Sequence, residues 1–393
     1  MKKRMIAAVS DLLVAALLLG GIYGVNYLIP QKGVAASNMA QVTENKESSD
    51  TGKNIESMES TQGRGGKSGD QNLTSSNLNL AGTRQTSQPA AASETQKLQN
   101  LLENNSGGLA TTKVLLDTQD WHKKFADKFT DQVVSTDTSY TSPNLSIKLT
   151  YHSYNTNKLD HTQNGQHERY GSNISYVLAD IYVGDITCLQ TCFAQNTYGV
   201  GYSEKLSDMS ARMQSVLAVN GDSYSNSRHQ NNGTIIRNGV IYRAQPTDME
   251  TCVLNWDGTM KIYSPQELNE QQLIDSGAYQ SWIFGPSLLD SNGKANTNFR
   301  TWSYITQSHP RTAIGYYEPG HYCLLVVDGR QQSSRGMFLD EMANLFEQLG
   351  CKVAYNLDGG HCSFMTMGNQ VVNHPYKPEH SVEDGLFITE GLM

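Results

Sequence analysis

Four short segments set acids, arginines and a histidine beside glycines or at the edges of apolar runs. "VNGDSY" holds Asn220, Gly221 and Asp222. "SHPRTAIG" holds His309 and Arg311, "VVDGR" holds Asp328, Gly329 and Arg330, and "YNLDGGHCS" holds Asn356, Asp358, Gly359 and Gly360. Glycine lets backbone amides approach an anion closely. A guanidinium is a planar fork suited to phosphate or carboxylate, and paired carboxyl groups serve as nucleophile, base or acid at a sugar carbon. Each segment alone is an ordinary turn signal, and Asp328–Arg330 or Asp358–Arg311 would serve equally as scaffold ion pairs. Together they converge only if these strand edges share one side of a sheet. A further option is a cation site built from Asp222, His309, Asp328 and Asp358. Its oxygen-rich donors suit calcium or magnesium better than zinc. His309 precedes Pro310, which favours extended backbone there, so its ring has packing as an alternative role.

The elements that must position these groups are mostly strands. Short β-like runs cover Leu145–Tyr151, Ser175–Val183 and Ser215–Asn220. Asn238-Gly239 and Asp257-Gly258 each separate two such runs, as hairpin turns do, and Pro319-Gly320 marks a third hairpin. Trp121, Phe125 and Phe129 recur at helical spacing in a short segment. In "GMFLDEMANLFEQLG", Leu339, Met342, Phe346 and Leu349 share a helical face, and Gly350 ends the helix in the left-handed conformation. "KVAYNLD" then reads as a strand. The fold class expected is α+β, a mixed β-sheet with packed helices.

The two ends of the 393-residue chain differ in character. Lys2, Lys3 and Arg4 precede an apolar run from Met5 to about Ile29, long enough to span a bilayer. Residues 1–36 are therefore expected to be a transmembrane signal-anchor, or a signal cleaved near Val34-Ala35-Ala36. Residues 37–110 are rich in Ser, Thr, Gln, Asn and Gly and read as a disordered tether. One folded domain is expected over residues 115–393. The placement expected is single-pass at a cell membrane with the C-terminal domain outside, or secreted after cleavage. A net charge of −8 and no basic stripe with interleaved aromatics exclude nucleic-acid wrapping as the main activity. The six cysteines form no C-x-x-C pair, which argues against zinc-ribbon and thioredoxin readings.

"AVNGDSY", "HPRTAIG", "VVDGR…GMFLDEMANLFEQLGCKVAYNLDGG" and "GNQVVNHP" resemble, in that order, the phosphodiester glycosidase family, whose bacterial members are often labelled exopolysaccharide biosynthesis proteins. The resemblance runs from about Trp121 to the C-terminus. It implies hydrolysis of a sugar-1-phosphodiester of the GlcNAc-1-phosphate type, in envelope or exopolysaccharide metabolism. By matched position it implies a site of Asn220, Gly221, Asp222, Arg311, Thr312, Asp328, Arg330, Asn356, Asp358, Gly359 and Gly360, with Glu341 as a family acid. Where the family continues with glycine and two serines, this chain has His361, Cys362 and Ser363; His309, His361 and Ser363 are candidates for substrate contact, with a surface-turn role as the alternative for His361. On this reading Arg311 and Arg330 hold the phosphate, and Asp358 or Asp328 faces the anomeric carbon. Asn220 and Asp222 bind sugar hydroxyls or a cation. Cys362 is a poor nucleophile, since its neighbour His361 would point the other way in an extended segment. The alternative of another class is a non-catalytic cell-envelope module that binds an anionic glycan.

Overall fold

The computed structural model describes residues 34–35, 97–102, 108–113, 120–159, 170–226, 229 and 231–391. The apolar run at Met5–Ile29 and most of the expected tether lie outside the described residues. No helix among the described residues is long and apolar enough to cross a membrane. That finding overturns the single-pass placement expected from the sequence.

Two antiparallel sheets pack face to face and carry the core. One orders its strands Val353–Asn356, Arg311–Glu318, His321–Val327, Asn173–Val183, Leu145–Asn155, Ser139–Thr141 and Val134–Ser135. The other orders Gln370–Val371, Met365–Met367, Leu217–Asn220, Asp384–Ile388 and Leu189–Phe193. Every strand pairing among the described residues is antiparallel, so the α+β class holds while the expected mixed sheet does not.

Residue alternation explains the layers. Val177, Ala179, Ile181, Leu324 and Val326 point into the core between the sheets, where they meet Leu217, Val219, Leu386 and Ile388. Their neighbours Tyr176, Leu178, Cys323, Leu325 and Val327 point the other way, under Met342, Ala343 and Phe346 of the helix Leu339–Leu349. Ala218 and Phe387 likewise leave the far face of the second sheet and pack on Leu206 and Met209 of the helix Leu206–Met213. Each central strand is therefore covered on both faces, and its sequence reads as a nearly continuous apolar run.

The expected hairpins form. Asn238 and Gly239 both take positive φ (50° and 76°) between Thr234–Arg237 and Val240–Ala244, as a tight two-residue turn requires. Asp257-Gly258 joins Thr251–Asn255 to Met260–Tyr263, and Pro319-Gly320 joins the strands ending at Glu318 and starting at His321. The helix at Trp121 spans only Trp121–Lys124; Trp121 and Phe125 are nonetheless buried in the main core. Folded structure also begins upstream of residue 115. Residues 97–102 are helical, with Leu98 and Leu102 buried, and Leu109–Ala110 pairs with Val240–Ile241. Val34–Ala35 pairs with Thr197–Tyr198. Residues 97–102 and 109–110 of the expected tether are part of the fold because they supply apolar side chains and a strand edge.

Candidate active site

Arg311 starts one strand of the larger sheet, opposite Val327, and Ala313 pairs with Asn356. The segments at Arg311, Asp328 and Asp358 therefore do leave the sheet at one end. The chain after Asn356 crosses to the smaller sheet, where Asp358 N–H donates to Gly221 O (3.0 Å). Asn220 ties the crossing down: its Nδ2 donates to Asp358 O (2.6 Å), and its Oδ1 accepts from Thr312 Oγ1 (2.6 Å). Asn220 and Thr312 thus act on the backbone and on each other as positioning residues.

A cleft of about 400 Å³ opens where the two sheets meet. Its wall includes Asn220, Gly221, Ser223, Asp358, Cys362, His380, Glu383 and Asp384. Three carboxyl groups therefore share one cavity, and two of them, Glu383 and Asp384, fall outside the residues expected from sequence.

Asp384 is fully committed. Arg237 closes on its Oδ2 at 2.5 Å, and Asp222 N–H donates to its Oδ1 at 2.7 Å. Gly221 is what allows this contact, since a β-carbon there would lie 2.5 Å from Asp384 Oδ1.

Asp358 and Glu383 differ from it. Asp358 is half-buried, accepts from Gly359 N–H at 2.8 Å, and is hydrogen-bonded by the Cys362 thiol and Ser223. Burial, aided by the Asp384 charge, raises its pKa to about 6 against those hydrogen bonds. Glu383 accepts from Ser225 N–H at 2.7 Å, and burial with the charges of Asp384 and Asp358 raises its pKa to about 7. Ser223 holds a positive φ of 50°, a strained conformation for a non-glycine residue beside the acid it contacts. The Cys362 thiol is pushed well above its ordinary value by burial and by Asp358, so it stays protonated and is no nucleophile.

Other expected site residues are used elsewhere. Asp222 is fully buried and accepts from the amides of Ile283 (2.7 Å) and Phe284 (2.7 Å). Asp328 holds Asn373 Nδ2 (3.0 Å), His374 N–H (2.8 Å) and Ser175 Oγ (3.0 Å), pinning a loop to the sheet. Arg311 donates to the carbonyls of Met337 (3.0 Å), Ile305 (2.6 Å) and Gln307. Burial and the Arg330 charge lower its pKa to about 9, which still leaves it charged at neutral pH. Glu341 pairs with the fully buried Arg335 (2.6 Å) and accepts from Phe338 N–H (3.0 Å) at the start of its helix.

The expected two-arginine phosphate clamp is not assembled, because the Arg311 guanidinium is occupied by main-chain oxygens. Arg330 lies behind the turn, with Nη2 3.1 Å from where a β-carbon of Gly360 would sit, and donates to Tyr376 OH (2.8 Å). His309 faces Tyr304 O (2.9 Å) and Arg330 (3.4 Å), and burial with the nearby arginine charges lowers its pKa to about 3, leaving it neutral. The cation set expected from Asp222, His309, Asp328 and Asp358 is thus divided among separate partners. Among the described residues no group of three or more His, Cys, Asp or Glu side chains is arranged to hold a metal ion.

Asn356 Nδ2 donates to Gly285 O (2.7 Å), and Ser363 is buried. Gly359 has no room for a side chain, since a β-carbon would meet Pro310 O at 2.8 Å. His361 stacks on His380 at the cleft edge, ring centroids 4.7 Å apart. The missed residues carry the same punctuation as those found. "HSVEDG" at 380–385 sets an acid and a glycine at the start of the strand Asp384–Ile388.

Residues 213–389 match the family model described as phosphodiester glycosidase, and this stretch contains all three cleft acids. The C-terminal part of the protein is thus similar to a phosphodiester glycosidase domain. A curated relative, the uncharacterized SPbeta prophage-derived protein YomE of Bacillus subtilis, is 34% identical over 181 residues, covering 45% of this chain. The chain spans only 28% of that relative's length. Among solved structures, the zebrafish N-acetylglucosamine-1-phosphodiester alpha-N-acetylglucosaminidase catalytic domain, auto-inhibited by pro-peptide, is similar at 19% identity with a TM-score of 0.48. That similarity covers 64% of this chain and 89% of the other. A hypothetical protein from Synechocystis is similar at 13% identity with a TM-score of 0.45, over 65% and 63% of the respective chains.

Proposed function

We propose that the cleft hydrolyses a sugar-1-phosphodiester of the GlcNAc-1-phosphate type, releasing the free sugar and a phosphomonoester. The observation that carries this reading is the pairing of Asp358 and Glu383 in one cavity, both with proton affinities shifted toward neutral pH. Carboxyl groups tuned in this way suit proton transfer at a glycosidic carbon. Asp358, the more acidic of the two, takes a proton from the attacking water as its oxygen bonds to the anomeric carbon. The bond from that carbon to the phosphate oxygen breaks, and the electron pair leaves with the phosphomonoester. Glu383 supplies a proton to the departing oxygen. Ser223, Ser225 and Asn226 line the same cleft and offer partners for sugar hydroxyls.

The test is incubation with a synthetic GlcNAc-1-phosphodiester, following free sugar and phosphomonoester by mass spectrometry. Wild-type protein releases both, and the Asp358→Asn variant releases neither at a comparable rate. Binding measured by calorimetry with no product from wild type would replace hydrolysis with a glycan-binding role.

A further inference from the structure

We propose that His380, held in place by His361, is the group that receives the substrate's phosphate; this rests on the phosphodiester reading above. The wall of the cleft carries Asp358 and Glu383, which disfavour an anion when ionised, while Arg237 offsets the charge of Asp384. Among the described residues that line it, only His380 can carry a positive charge; partial burial and the neighbouring His361 lower its pKa, so the ring takes up its proton as the anion binds. Arg237 spends its charge on Asp384, and Arg330 stands behind the Gly360 turn on Tyr376. A phosphodiester entering this cavity therefore meets one basic side chain in its lining, with Arg330 behind the wall near Cys362.

The imidazole is also preset. His361 stacks on it with ring planes 12° apart, and His361 Nε2 donates to Pro378 O at 2.9 Å, fixing the supporting ring. Ser381–Val382, which follow His380, pair with Glu204–Lys205 and fix the backbone. His380 is exposed, so its ring nitrogens are open to a ligand, while His361 is half-buried beneath it. His380 is thus a specificity-determining residue, and His361 a positioning residue that acts through it.

The experiment compares wild type with H380Q and H361A on two substrates sharing one sugar, a GlcNAc-1-phosphodiester and the neutral 4-nitrophenyl GlcNAc glycoside. Inorganic phosphate is titrated in parallel and followed by the histidine ring-proton signals in NMR. In H380Q the ratio of kcat/KM for the phosphodiester to that for the neutral glycoside falls about 10- to 100-fold, the worth of one charge-assisted hydrogen bond, mainly through KM. H361A moves the ratio in the same direction by less. Wild type shows a phosphate-dependent shift of the His380 signal, and H380Q binds phosphate more weakly. An unchanged ratio in H380Q overturns the assignment while leaving the hydrolytic reading intact. Should wild type cleave neither substrate, the hydrolytic reading fails, and the phosphate titration alone decides: equal phosphate affinity in wild type and H380Q overturns the role of His380.

Discussion

The cleft and the polar cluster around Arg311, Asp328 and Glu341 are made of the same residue types, at the same end of the same sheets. They differ in how completely the fold uses each side chain. Asp328 accepts from an amide, a carboxamide and a hydroxyl, Arg311 is filled by carbonyl oxygens, and Glu341 neutralises a buried arginine. In the cleft, burial holds the protons of Asp358 and Glu383 more tightly, aided by the charge of Asp384 on both and of Asp358 on Glu383. A polar side chain whose donors and acceptors are all met by protein stabilises the native state. One whose charge is opposed by its neighbours carries a cost that folding alone does not explain, and such costs gather at functional sites.

The comparison is broken most directly by neutralising each set in turn. Asp358→Asn and Glu383→Gln are each expected to lower kcat about 10²–10⁴-fold, the usual worth of a positioned acid or base, with native circular dichroism. A variant of either kind with full turnover would move the chemistry out of the cleft. Glu341→Gln strands the charge of Arg335, which is 0% exposed, and is expected to cost about 3–5 kcal/mol in urea unfolding while folded protein still turns over substrate. Loss of turnover with unchanged stability would return Glu341 to the active site.

Smaller effects sharpen the contrast. Gly221→Ala forces a β-carbon against Asp384 and should cost about 1–3 kcal/mol, along with part of the activity, because Asp384 must move. The pH dependence is the gentlest probe. The pair titrates near 6 and 7, so kcat/KM should rise through about 6 and fall through about 7, and Glu383→Gln should remove the falling limb. Around these carboxyls stand Asp384 with Arg237, His380, Cys362 and, behind the turn, Arg330. Stability carries the opposite signature to the usual acid. Both folded values exceed the ordinary 3.8 and 4.5, so between about 4 and 7 the native state keeps protons that the unfolded chain has released. Stability should therefore fall as pH rises through that window. Thermal melts of the Asp358→Asn variant should show a flatter decline than wild type; an identical slope would mean that Asp358 titrates normally.

Much of the scaffold was legible because its signals are local. The Asn238-Gly239 turn, the face shared by Leu339, Met342 and Phe346, and the alternation along Ser175–Val183 each depend on residues within one or two turns or a single strand. The cleft was half legible. Asn220, Gly221 and Asp358 announce themselves as polar stops after apolar runs, and they do meet. His380, Glu383 and Asp384 carry a similar stop, but it precedes its strand rather than follows one. Arg311 and Asp328 were read as site groups because residue type shows what a side chain can do and not whether the protein already satisfies it.

By itself, the sequence determined the strand and turn pattern, the end of the sheet where polar groups collect, and the family pattern over the C-terminal part of the chain. Only the tertiary structure decided which acids remain available for chemistry. Backbone carbonyls and amides, from the preceding loop and from other segments, are partners that occupy Arg311, Asp222 and Asp328, and pairing across about 150 residues of chain, as between Arg237 and Asp384, has no local signature. The charge left over in the cleft is what remains after those long-range partners have been assigned.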